Sequence, residues 1–305
     1  MIGFATISAE GFNGTTGGYG GDPTYVQAVT TLDEIKAFVD ANQNDRKKIL
    51  HIAKSIESPE TMQFVFRNGS NLTIRGENGV RLKNFGFFFD KFNNVIIENL
   101  IIHEVFYPND PITINDSHHF YIRNNELYSI NTNRDEDKDI YDGIIDMKRG
   151  ARYITIDNNY IHDHNKCLLI GHTDDLAQKE QDSKISVTIC NNTFRNIRTR
   201  CPSIRYGTLH VFNNRYEDFL YDYAIAARCG AQVLIENNKF FNVKHVLSTK
   251  FNGEPPVVKL SSDNKYHGLE SDDIRGVKKH EILYAKQLLK HGDSEVTVPY
   301  EYELT

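Results

Sequence analysis

The segment NIRTRCPSIRYG (196–207) gathers Arg198, Arg200 and Arg205 around Pro202 in a chain whose net charge is −6. Guanidinium forks grip carboxylates and phosphates in bidentate fashion, so such a cluster either lies in solvent or holds an anion. A second concentration of charge has the opposite sign. YDGIIDMKRG (141–150) sets Asp142 and Asp146 four residues apart around an apolar pair, and Asp110 opens DPITIND upstream. Carboxylates brought together repel one another unless a cation sits among them, and hard oxygen ligands suit Ca²⁺ or Mg²⁺. Three of them leave Ca²⁺ incompletely coordinated, with places for water or an anionic ligand. Taken alone, the Asp-Gly-x-x-Asp spacing also fits a solvated turn, and it is too short and sparse for an EF-hand.

What could bring these residues together is a repeat. An Asn followed, one residue on, by a hydrophobic residue recurs at Asn78, Asn99, Asn125, Asn159, Asn192, Asn214, Asn238 and Asn264. Short β-rich runs precede each, among them VIIEN, FYIRNN, YITIDNN, VTICNN and VLIENN. The spacings are 21, 26, 34, 33, 22, 24 and 26 residues. Strands recurring at this period, with no helices between them, predict an all-β parallel β-helix, in which each coil buries its apolar side only against its neighbours. A β-sandwich with Asn-rich turns is the alternative, but eight markers with one local grammar disfavour it. Asn after each strand tolerates the left-handed geometry of a corner, and stacked Asn side chains can hydrogen-bond from coil to coil.

A solenoid needs covered ends. TTLDEIKAFVDAN (30–42) has a capping-box pattern, Thr31 with Glu34, followed by apolar residues at helical spacing, and reads as an N-terminal cap helix. HEILYAKQLLKHG (280–292) is a second helical pattern. The whole chain, 1–305, reads as a single domain.

The two long spacings mark insertions, at 131–143 and 172–182, and insertions in a solenoid become loops on one face. Lys166 lies seven residues after Asn159 and Arg200 eight after Asn192. With a one-residue slip they occupy near-equivalent places on successive coils, roughly 5 Å apart. Cations stacked that closely are costly unless an anion sits between them. Two further motifs carry less. His162 and His164, with His172, lack a metal-binding pattern and read as satisfied surface histidines. GTTGGYGG (14–21) is neither a dinucleotide fingerprint nor a P-loop and reads as a tight turn system.

The bulk numbers exclude some classes. The acidic balance argues against general nucleic-acid binding, and no apolar run approaches a membrane span. Four cysteines are too few for a disulfide scaffold at this length, and no Cys-x-x-Cys pair suggests zinc. MIGFATISAEGF lacks a basic start and an apolar core, so it does not read as a signal peptide.

Taken together, GTTGGYGG, TTLDEIKAFV, the segment DGIIDMKRGARYITIDNNYIHDHNKCLLIGHTDD and RTRCPSIR resemble the pectate lyases of polysaccharide lyase family one, over roughly residues 3 to 270. The Arg-x-Pro-x-x-Arg signature, Arg200 to Arg205, is specific when it follows the Asp-rich segment and a lysine in this order. The resemblance implies a right-handed parallel β-helix and Ca²⁺-dependent cleavage of polygalacturonate by β-elimination. It implies Arg200 as catalytic base, Lys166 and Arg205 as substrate contacts, and Asp142 and Asp146 as Ca²⁺ ligands. Asp110 matches a third ligand, and Arg228 stands where some members place another subsite arginine. Pro108 stands where some members carry a further acid, which would weaken Ca²⁺ binding without substrate. Trp, which some members use near the acidic motif, is absent.

The chemistry is consistent with these residue types. The substrate carries one carboxylate per sugar, and an acidic protein can hold it only with a local basic strip and a bridging cation. An arginine is an awkward base because its guanidinium normally keeps its proton, and neighbouring cations would disfavour the charged form. The expected partner is therefore polygalacturonate or pectin, with no nucleic acid and no membrane, and the expected protein is a secreted monomer. Pectin lyase action on methylated substrate, hydrolysis by a polygalacturonase, and a catalytically degenerate carbohydrate-binding β-helix are the rival expectations.

Overall fold

The computed structural model describes residues 1–18, 23–42, 48–130, 139–249, 251 and 253–268, with the backbone of 274–275, 290–291 and 294–295. The chain coils into a parallel β-solenoid. Within the stack, strands pair in parallel with their counterparts one coil before and one coil after. Five strands stacked on one face carry the charged motifs: β1 (Ile112–Asn115), β2 (Ile145–Lys148), β3 (Leu168–Ile170), β4 (Ser203–Arg205) and β5 (Ile225–Arg228). Their registers align Asp146 with Thr113 on one side and with Leu169 on the other. Farther along, Arg205 aligns with Arg228.

The interior is filled by columns of like residues, because equivalent positions on successive coils meet at the strand spacing of about 4.8 Å. Phe66 stacks on Phe89, which packs against Phe120. Farther along, Phe194, Tyr216 and Phe240 stack with centroids 4.8–5.0 Å apart, and the exposed Tyr266 continues the stack at 5.4 Å. Ile, Val and Leu fill the remaining columns and are almost wholly buried.

The corners divide the work of the Asn residues differently from the sequence expectation. In the five Asn-Asn pairs that end on a marker the first residue takes the left-handed conformation: Asn124, Asn158, Asn191, Asn213 and Asn237 have φ between 49° and 58°. The second residue, the marker itself, is buried and forms the ladder. Asn125, Asn159, Asn192, Asn214 and Asn238 each donate their backbone N–H and their side-chain amide to Oδ1 of the next marker, ending on Asn264. Asn99, with φ 57°, belongs to the outer, left-handed series, and Leu100 fills its coil's ladder slot by donating N–H to Asn125 Oδ1. Asn78 lies in an exposed turn outside the ladder.

The N-terminal cap is as expected. Helix α1 (Leu32–Asn42) buries Ile35, Phe38 and Val39. Its capping box is formed: Glu34 N–H donates to Thr31 Oγ1, and Thr31 N–H donates to Glu34 Oε2, both at 3.2 Å. The helical pattern over 280–292 lies outside the described residues apart from 290–291, which pair antiparallel with 294–295. No helix among the described residues is long and apolar enough to cross a membrane.

Candidate active site

The turns that lead into β1 and β2 bring the acidic motifs together. Asp110 and Asp146 are both about 4% exposed and come from adjacent coils. They converge on Gly143. Its N–H donates to Asp110 Oδ1 at 2.8 Å, and a Cβ at this position would meet Asp146 Oδ1 at 2.5 Å and Asp110 Oδ1 at 3.0 Å. Only glycine leaves room for both carboxylates. Asp110 Oδ2 accepts from Thr113 Oγ1, and the Asp110 carbonyl accepts from Gln63 Nε2. Burial, and then the charge of Asp146, push the Asp110 carboxyl up to about 7. Burial also raises that of Asp146.

Lys148, two residues after Asp146 on β2, donates to Asp146 Oδ2 at 2.7 Å. Burial works against the ammonium's charge, but Asp146 and then Asp110 and Asp142 hold its pKa above the ordinary lysine value. The sequence reading missed Lys148. The signal was present, because residues two apart on a strand share a face. Asp146 Oδ1, by contrast, is buried without a hydrogen-bond partner among the described residues. An unpaired carboxylate oxygen beside a second carboxylate fits a hard, oxygen-seeking cation such as Ca²⁺.

The third expected ligand is placed otherwise. Asp142 is partly exposed and its Oδ1 accepts from Lys166 Nζ at 3.0 Å, while Lys166 also reaches Asp139 at 2.8 Å. Among the described residues no three His, Cys, Asp or Glu side chains are grouped closely enough to hold a metal ion. The sequence expectation of three converging carboxylates is therefore corrected to two that converge, with the third drawn off by a lysine. Burial opposes the charge of Lys166, but Asp139 and Asp142 raise its pKa above the ordinary value.

Arg200 lies on the coil after Lys166. Among the described residues its guanidinium makes no hydrogen bond or ion pair, although its charge acts on Asp146. Lys166 is in register with Thr199, one residue short of Arg200. Arg205 is ion-paired with Asp174 and donates to the Gly171 carbonyl at 2.9 Å. Arg228 lies 3.5 Å from the same Asp174 oxygen, and its guanidinium sits 4.4 Å from the centre of the Phe251 ring. Burial, then the adjacent Arg205, lower the Arg228 pKa. Asp174, from the second insertion, thus ties two arginines together, and nothing in its spacing marked it.

The histidines are structural. Asp163, at φ 51°, breaks the alternation between His162 and His164, so the two do not share a face. His162 stacks on Tyr128 and bonds Asp163, whereas His164 is buried against Ser129 Oγ and the Asp142 carbonyl. In the Gly-rich segment, residues 16–18 donate N–H groups to Asn94 and Thr73, which pins the N-terminal segment to the coils.

The family model described as pectate lyase matches residues 2–268. The chain is similar to pectate lyase A of Emericella nidulans, 37% identical over 270 residues that cover 88% of this chain and 73% of the relative. It is also similar to the pectate trisaccharide-lyase of Bacillus licheniformis, at 35% identity with 90% and 84% covered. Among solved structures, a pectate lyase from Bacillus sp. N165 in complex with trigalacturonate superposes with TM-score 0.68 at 28% identity, covering 94% of this chain and 95% of that one. Pectate lyase II of Xanthomonas campestris shares the fold, with TM-score 0.73 at 23% identity over 90% and 86%.

Proposed function

The chain belongs to the pectate lyase family and is a polysaccharide lyase, and from that premise we propose that it cleaves α-1,4-polygalacturonate by β-elimination, with Arg200 as base. The observation that carries this reading is the arrangement on consecutive coils of a buried carboxylate pair, two lysines and an arginine that makes no ion pair among the described residues. The acid pair favours free pectate over methylated pectin, and the basic strip suits a polyanion better than a hydrolase's paired carboxylates would.

Asp110 and Asp146 would hold Ca²⁺, with Asp142 released from Lys166 when substrate arrives. The bound ion would neutralise a substrate carboxylate and stabilise charge developing on it. Lys166, freed from Asp142, and Arg205 grip the carboxylates of the chain and fix its orientation. Arg200 takes the proton from C5, α to the carboxylate. The C5–H electron pair becomes the C4–C5 double bond, the C4–O bond breaks, and the departing oxygen takes a proton from solvent. The products are a new reducing-side end and a 4,5-unsaturated end. Polygalacturonate is a polymer found outside the cell, so the working enzyme is secreted, and the described coils act as one monomeric domain.

Ultraviolet absorbance of the unsaturated product, on polygalacturonate with and without EDTA, tests the reading. Absorbance that requires Ca²⁺ is the expected result. New reducing ends without absorbance would mean hydrolysis, and neither signal would mean a binding module.

A further inference from the structure

The strip of charge does not end at Arg205 and Arg228. The turns feeding successive cleft strands are stacked by backbone bonds: Cys201 N–H donates to the Ala224 carbonyl at 2.6 Å, and Ala224 N–H to the His245 carbonyl at 2.8 Å. The segments 220–224 and 243–248 therefore lie one and two coils beyond Arg200, roughly 5 and 10 Å along the axis. Between them opens a pocket of about 350 Å³ lined by Tyr221, Asp222, Tyr223, Lys244, Leu247 and Ser248 among others.

Its chemistry is specific. Tyr221 is 45% exposed and Tyr223 partly so. Asp222 is taken up by Arg198, whose Nε lies 3.1 Å from Oδ2, so the pocket's acid is already neutralised. Lys244 is exposed, and among the described residues its ammonium makes no hydrogen bond or ion pair. Continuity with the cleft is direct. The Tyr223 ring packs edge-on to Phe251 at 6.0 Å, and Phe251 is the ring over which the Arg228 guanidinium sits.

A galacturonosyl unit has an apolar C–H face, a rim of hydroxyls and one carboxylate. Aromatic side chains suit the first and phenol hydroxyls the second. An unpaired ammonium suits the third. We infer that the Tyr221–Tyr223–Lys244 pocket is a distal subsite that holds a galacturonosyl residue of the same chain whose scissile bond lies at Arg200. The inference rests on the proposed reaction for the direction of the chain. It makes long oligomers better substrates than short ones and makes this pocket a determinant of which bond is cut.

Lys244→Gln and Tyr221→Ala, singly and together, test it on tri- and hexagalacturonate with Ca²⁺. The expected result is a five- to tenfold loss in kcat/KM on the hexamer, a smaller loss on the trimer, and a shifted distribution of product lengths from the hexamer. Equal losses on both substrates, or an unaltered product distribution, would overturn it. If wild-type protein forms no unsaturated product, the reaction has failed and the pocket is judged by calorimetry with saturated hexagalacturonate. Weaker binding in Lys244→Gln than in wild type then supports the subsite, and equal or absent binding overturns it.

Discussion

Lys166 stands in register with Thr199, and the next aligned pair on these coils is Leu169 with Ser203. Two residues separate Lys166 from Leu169, whereas three separate Thr199 from Ser203. The coil that carries Arg200 thus has one residue more at this corner, and Arg200 itself takes φ 64°. That backbone is uncommon for a long side chain. The extra residue takes Arg200 out of the ladder of like positions, and its charge acts on Asp146.

If Arg200 abstracts the C5 proton, Arg200→Lys should lose about 10²- to 10⁴-fold in kcat despite keeping its charge. A shorter ammonium does not place its nitrogen where the guanidinium does. Arg205→Lys should act mainly on KM. Steady-state kinetics at saturating Ca²⁺ across alkaline pH decides between them, and an unchanged kcat in Arg200→Lys would remove it as base.

Lys148 donates to Asp146 Oδ2, one of the carboxylates proposed to hold Ca²⁺, and so it competes with the cation for that oxygen. Lys148→Met should lower the stability of the EDTA-treated protein by about 1–3 kcal/mol, because a buried carboxylate oxygen loses its donor. The same variant should bind Ca²⁺ several-fold more tightly. Calorimetric Ca²⁺ titration showing weaker binding would mean that the lysine supports the site instead.

Gly143→Ala puts a methyl group where the Asp110 and Asp146 oxygens now converge. We expect at least tenfold weaker Ca²⁺ binding, with the coil structure kept by circular dichroism and Tm lowered by a few degrees. Wild-type affinity in this variant would show that the two carboxylates do not form the metal's seat.

Asn192 is a middle rung of the buried ladder. Asn192→Ala leaves the Asn159 backbone N–H without its acceptor, takes one of three acceptors from the Asn159 side-chain amide, and removes a donor from the Ile156 and Cys190 carbonyls. The loss should be about 2–4 kcal/mol in denaturant unfolding. A change under 1 kcal/mol would show that water replaces the rung.

His118 is buried beside His119, Glu10 and Arg152, where the N-terminal segment packs on the coils. Burial pushes its pKa down to about 4. A depressed value means that the folded state binds fewer protons than the unfolded state near pH 5. Its stabilisation is therefore complete above about pH 6.5 and is lost as pH falls toward 4. The loss is on the order of 1–3 kcal/mol. Thermal unfolding at pH 7.5 and 4.5 should show a smaller acid decline in His118→Gln than in wild type, and equal declines would assign the acid sensitivity elsewhere.

The sequence by itself determined the coil. A period near 24 residues, apolar runs before each corner and the capping box at Thr31 and Glu34 are local signals. In a solenoid, neighbouring coils repeat local structure, so local signals become the global fold. It also marked the charged side chains from which the site is proposed, since Arg200, Arg205, Lys166 and the aspartates sit in dense motifs. What it could not give is how those charges choose partners. Which Asn of each pair turns left-handed and which enters the ladder depends on how the next coil docks. Whether Asp142 faces Asp146 or Lys166, and whether Asp174 clamps Arg205 and Arg228, depends on side chains 24 to 54 residues apart meeting at a few ångströms. Coulomb energies change steeply over that range, and burial multiplies them. Only the stacked coils, with one extra residue at Arg200 and a bare Cα at Gly143, decide those distances.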